Sequence, residues 1–121
     1  MEYLIIALQL IVGISLINVW LIQPNKPSKW RGGDAQTLKE EFSAYGLPAF
    51  LFYVVGFFKV GFALLLLASI YFTVYADYAA YGLAFFLAGS VIMHIKISDP
   101  IHKSFPAVLF LSMCLVIALL N

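Results

Sequence analysis

"PAFLFYVVGFFKVGFALLLLASIYFTVY", Pro48 to Tyr75, decides how this chain folds. Its twenty-eight residues carry a single charge, Lys59, among Phe, Leu, Val and Tyr. About 20 apolar residues, roughly 30 Å of helix, cross a bilayer core. A soluble helix of this length would show a polar face, and this one shows none. The stretch therefore reads as a membrane-spanning helix over 48–75, with Pro48 suited to its first turn.

Three more apolar runs flank it. Upstream, Tyr3 to Ile22 gives a first span. Its beginning, "MEYL", has Glu2 and no Lys or Arg, and no small-x-small site precedes Trp20, so it is expected to stay as a helix rather than be cleaved. Downstream, Asp77 is expected to break the chain in a short turn before a third span over 78–95. After "KISDPIHKS" (Lys96–Ser104), Pro106 opens a fourth over 105–120. The expectation is an all-α membrane protein, one domain over residues 1–121, folded as a four-helix up-and-down bundle. Composition agrees: 64% of the 121 residues are hydrophobic, 11% are charged, and mean hydropathy is +0.99. A soluble domain of this size needs more polar surface.

Net charge is +1, and no basic run interleaved with aromatics points to nucleic acid. Cys114 stands alone, which excludes an internal disulfide and the paired-thiol chemistry of membrane thiol–disulfide oxidoreductases. No metal-ligand cluster, flavin or haem signature is present, so the chain alone is not expected to complete a redox cycle. Lys26, Lys29, Arg31 and Lys39 fall in the first loop and Lys96 and Lys103 in the third, whereas the opposite side has no Lys or Arg. The positive-inside rule then puts both loops in the cytoplasm and both termini outside the cell membrane. Tyr71, Tyr75 and Tyr78 on one side, and Trp20 and Trp30 on the other, fit interfacial anchors.

The first loop, Gln23 to Gly46, is longer than a helical hairpin needs. It reads as a rigid exit, a glycine hinge, and a short amphipathic helix over 34–45 with Asp34 as N-cap and Gly46 as stop. Ala35, Leu38, Phe42 and Tyr45 share its apolar face, with Asp34 and Glu41 on one edge. Such a helix either lies flat on the membrane surface or forms a lid delivering Glu41 inward.

Lys59 lies eleven residues past Pro48, about 16 Å along its helix and near mid-bilayer. A lysine there costs about 3 kcal/mol on insertion scales, so it must face protein or water. The polar groups at similar depth are Gln9, Ser15, Ser90, Ser112 and Cys114. Gly56 and Ala63 beside it permit close helix approach, and Phe52 and Phe62 can wall a pocket. Either Glu41 or Asp34 descends with the loop to meet Lys59, or Lys59 sits neutral or water-bound in a polar pocket; it is thus either interhelical glue or the polar anchor of a pocket closed by the loop helix. His94 and His102, eight apart around Asp99, are poorly spaced for one metal ion; His94 can join the pocket rim.

At "RGGDAQTLKEEFSAYGLP" (Arg31–Pro48), "VGFFKVGFALLLL" (Val55–Leu67) and "HIKISDPIHKSFPA" (His94–Ala107), the chain resembles the DoxX-like family of small four-helix membrane proteins. The resemblance runs from about Asn18 to the C-terminus. It resembles the branch with Lys at position 59, where many relatives carry Glu. Relatives are linked to quinone-coupled thiosulfate oxidation and oxidative-stress complexes, and a distant animal relative assists receptor assembly. The resemblance implies Arg31, Asp34, Glu40, Glu41, Tyr45, Gly46, Pro48, Lys59 and His94 as candidate site residues. It implies a redox accessory protein binding a quinone or other lipid-like molecule, or an assembly factor docking a membrane-protein partner. A small multidrug exporter fits less well, because those proteins need a Glu in the first helix, and this first helix has no acid within it. A bundle with so little interior also suits homo-oligomers.

Overall fold

In a computed structural model of the chain, residues 2–22, 31–33 and 35–120 are described. The fold is all-helical. Among the described residues four helices are long and apolar enough to cross a membrane, and the chain is a multi-pass membrane protein. Helix α1 (Glu2–Ile17) continues as a five-residue π-helical segment, Asn18–Ile22. The loop helix α2 (Leu38–Ala44) follows, then α3 (Ala49–Ala68), α4 (Ala76–Lys96) and α5 (Phe105–Leu120). In the bundle, α4 packs most closely on α5 and α1 on α3.

Two hydrophobic clusters hold the molecule together. In the bundle, Val12 and Leu16 of α1 meet Ala63 and Leu66 of α3, Leu83 and Leu87 of α4, and Cys114 and Ile117 of α5. Small residues on α4, namely Ala79, Ala80 and Ala84, let neighbouring helices come close, which is how spanning helices gain packing energy when lipid is as apolar as the core. The second cluster joins Trp20, Leu38 and Phe42 and fastens α2 across one end of the bundle. Toward the other end, Gln9 Nε2 donates to Ser69 Oγ at 2.8 Å, tying α1 to the end of α3.

Three boundaries differ from the sequence expectation. Helix α3 stops at Ala68 instead of reaching Tyr75, since twenty residues already cross about 30 Å. Ser69 caps it there, its hydroxyl donating back to Leu66 O at 2.6 Å. Asp77 does not break the chain; it sits in the first turn of α4, where a carboxylate meets the positive end of the helix dipole. Helix α2 begins at Leu38, not at residue 34. Thr37 is its N-cap, accepting from Glu40 N at 3.1 Å, and Glu40 Oε2 accepts from Gln36 N at 2.8 Å. The first bond satisfies an orphan donor of the opening turn, the second ties that turn to the residue before the cap, and together they fix the helix start. Asp34 lies outside the described residues, as do Lys26, Lys29 and Trp30. The helix ends at Gly46, whose φ of +79° is open to glycine at little cost. Pro48 then caps α3.

Candidate functional site

Lys59 is 7% exposed. Its Nζ donates to Ser90 Oγ on α4 at 3.0 Å and lies 5.6 Å from the centre of the Trp20 ring. Ser90 in turn donates to Phe86 O at 3.2 Å. No carboxylate among the described residues forms an ion pair with Lys59. Instead the amine opens onto a cavity of about 510 Å³. The wall is apolar, from Val55, Phe85, Phe86, Ile92 and Met93, and α2 closes the top with Leu38, Phe42, Glu41 and Tyr45.

Trp20 sits between the cavity and the α1–α3 seam. It is buried, stacked on Phe52 and met edge-on by Phe42, so it is a packing residue of the lid and not the interfacial anchor expected from sequence. Gly56 makes room for it: a β-carbon there would lie 2.7 Å from Trp20 Cζ3. Phe52 joins this cluster, whereas Phe62 stacks on Phe58 and lies against Phe86 farther along α3.

Above the cavity the polar side chains of α2 meet those at the end of α4. The apolar face of α2 turns inward, with Leu38, Phe42 and Tyr45 buried and Gln36, Lys39 and Glu40 exposed. Glu41 is carried inward with them and is 8% exposed. Its carboxylate accepts the Tyr45 hydroxyl, pairs with Arg31 Nη1 at 3.8 Å and lies 3.7 Å from His94 Nε2. His94 Nε2 is 3.3 Å from the Tyr45 oxygen, and its Nδ1 is 2.7 Å from Asp99 Oδ2. Because an ionised carboxylate only accepts, Asp99 holds a proton on Nδ1 and leaves Nε2 turned toward Tyr45.

Asp99 reaches His94 through the turn after α4. Asp99 N bonds His94 O at 3.0 Å, with Ser98 in the left-handed region at φ 57°. The same carboxylate accepts from Gly33 N at 3.0 Å, and Lys103 Nζ donates to Gly33 O at 2.6 Å. Lys96 Nζ donates to Tyr45 O at 3.2 Å. The cations of the third loop therefore clamp the first. Burial alone would raise the Asp99 carboxyl. Its hydrogen bonds from His94 and Gly33 and the nearby Lys103 outweigh that and hold it below the ordinary range. Burial, with the Glu41 carboxylate beside it, pushes the Tyr45 phenol above its ordinary range, so it stays a donor.

Of the residues singled out from sequence, Arg31, Glu41, Tyr45 and His94 come together in one cluster, and Lys59 faces the same cavity from below. Glu40 is at the N-terminus of α2, and Gly46 and Pro48 shape the link to α3. Glu41 does not descend to pair with Lys59; Ser90 takes that place. Sequence reasoning passed over Asp99 as the partner of His94. The signal was present: an acid five residues after a helix-terminal histidine returns to it when the helix ends in a left-handed turn.

No curated protein and no solved structure matches the chain. A family model does: that of the DoxX-like family, over residues 32–117, from the glycines that precede α2 to the last turn of α5. That is 86 of the 121 residues, and it contains the lid, Lys59, His94 and Asp99. The chain belongs to the DoxX-like family.

Proposed function

We propose that the protein is an accessory component of a membrane redox system and holds a lipid-like molecule of the quinone type beside Lys59. The observation that carries this reading is the cavity itself. Its volume of about 510 Å³ falls in the range of small-molecule sites, and its apolar wall is interrupted by a few convergent polar groups. A quinone needs an apolar slot and a donor for each carbonyl oxygen. Lys59 offers one from below; at the lid the Tyr45 hydroxyl, whose one proton rests on Glu41, offers the other by turning to the ligand. By the distribution of Lys and Arg, the lid and the turn after α4 face the cytoplasm and both termini lie outside. Lipid extraction and ultraviolet spectra of the purified protein test the reading. A quinone should co-purify with the wild type and be lost from Lys59→Met. Its absence from the wild type, together with unchanged quinol oxidation in membranes lacking the protein, would sink the idea.

A second reading, an assembly factor for another membrane protein, draws on a different surface. A groove of about 400 Å³ runs between Trp20, Leu21, Phe52, Gly56, Phe57 and Leu64, and it includes Gly61, which has open space beside it. A partner's spanning helix would fit such an apolar groove, coming closest at Gly61. A photo-crosslinker at Phe57 that traps only lipid in native membranes rules it out.

A further inference from the structure

Four titratable side chains touch in series, and only the first two belong to the cavity. Glu41 and Tyr45 line it; His94 and Asp99 lie behind them, at the end of α4 and in the turn after it, where the Asp99 side chain is 5% exposed and faces the partly exposed Lys103. If the cluster served only to fasten the lid, apolar contacts would do so at lower desolvation cost. A continuous chain of acceptors and exchangeable protons from an apolar cavity to a membrane face is what proton movement requires. We infer that the cavity ligand carries an ionisable hydroxyl, as a hydroxyaromatic does, and that Glu41, Tyr45, His94 and Asp99 carry its proton to and from the aqueous face. This rests on the cavity reading above and adds to it the class of ligand and its proton path.

The step is a proton transfer and moves no electrons between molecules. The ligand O–H bond breaks, and the proton goes to the Glu41 carboxylate. It passes through the Tyr45 hydroxyl, which takes it from Glu41 and gives its own proton to His94 Nε2. His94 releases its Nδ1 proton to Asp99, 2.7 Å away, and Asp99 passes it to water through the 5% of its side chain that stays exposed. The oxyanion left on the ligand faces Lys59 Nζ. The groups around His94 are accounted for on every side: Glu41 and Tyr45 from α2, Arg31 behind Glu41, and Asp99 backed by Gly33 and Lys103 from the turn. Lys96, on the His94 helix, is bound to Tyr45 O. Arg31 and Lys103 keep the string from accumulating negative charge as protons leave.

The probe is a decyl-substituted nitrophenol, whose phenol and phenolate differ in colour, with its methyl ether as control. Protein in detergent is loaded with each, and the phenol complex is jumped from mildly acidic to mildly alkaline pH. Wild type should ionise the bound phenol fast. His94→Gln and Asp99→Asn should slow that rate at least roughly tenfold, with ether affinity unchanged, and free imidazole should restore the rate to His94→Gln. Equal rates in all three proteins overturn the relay while leaving the cavity reading standing. If neither phenol nor ether binds the wild type, the cavity reading falls and the relay with it. Variants that lose ether binding are misfolded, and Tyr45→Phe, which keeps the ring packing, then supplies the rate comparison, with the wild-type rate again overturning the relay.

Discussion

Replacing Lys59 by Met separates a lysine kept for stability from one kept for a ligand. Holding this side chain as a cation near mid-bilayer costs about 3 kcal/mol. Its hydrogen bond to Ser90 returns about 1.5 kcal/mol. The Trp20 face 5.6 Å away adds about 1 kcal/mol. The balance is near zero. Met is similar in length, has no desolvation cost and fills irregular space. Ser90 is not orphaned by the change, since its hydroxyl still donates to Phe86 O. Lys59→Met should therefore leave unfolding free energy within about 1 kcal/mol of wild type, read by denaturant titration of the helical circular dichroism signal in mixed micelles. Ligand retention, read by extraction of the same preparations, should be lost. A destabilisation beyond about 2 kcal/mol would mean the lysine is interhelical glue, and the argument for a ligand at Nζ would fail.

Three further outcomes follow from the lid and its clamp. Gly56→Leu places atoms where Trp20 now sits, so the lid should lift at a cost of about 1–3 kcal/mol, read as faster proteolysis after Lys39. Tyr45→Phe keeps the ring but removes its bonds to Glu41 and His94; the lid should lose about 1 kcal/mol, visible as weaker amide-exchange protection over 38–45 and no change in the bundle. Since Asp99 is held below its ordinary range, its clamp is intact above the unfolded value of about 3.9 and is lost as pH falls through the lower folded value. Lid proteolysis should thus stay flat from neutral to about pH 5 and rise only in stronger acid, and Asp99→Asn should abolish that acid step.

How much of this was legible beforehand depended on the range of the interaction involved. The four spans follow from local hydropathy, and a helix in lipid has no alternative way to satisfy its backbone. The inward face of α2 follows from the spacing of Leu38, Phe42 and Tyr45, and Glu41 comes with it as a neighbour on that face. Lys59 announced a cavity because its type is so costly at that depth. What stayed hidden was pairing across distant segments. Ser90 meets Lys59 across 31 residues and Asp99 meets Gly33 across 66, and neither pair leaves a periodic trace in one sequence. The start of α2 was misplaced because Asp34 and Thr37 are both good caps, and only the bond from Gln36 N to Glu40 selects the second. Trp20 was misread because an aromatic at a span end usually meets headgroups; a glycine one helix away gave it somewhere drier to go.

The π-helical segment at the end of α1 adds one residue to each turn just where Trp20 must point inward. It acts as a phase adjuster. The sixteen residues before it are free to settle against α3 and α5 at whatever rotation suits their own packing, while the indole is aimed separately. Shortening Asn18–Ile22 by one residue would swing the indole through about 100° toward lipid and leave the upstream packing as it was. One surplus residue thus lets a helix serve two neighbours that want different orientations from it.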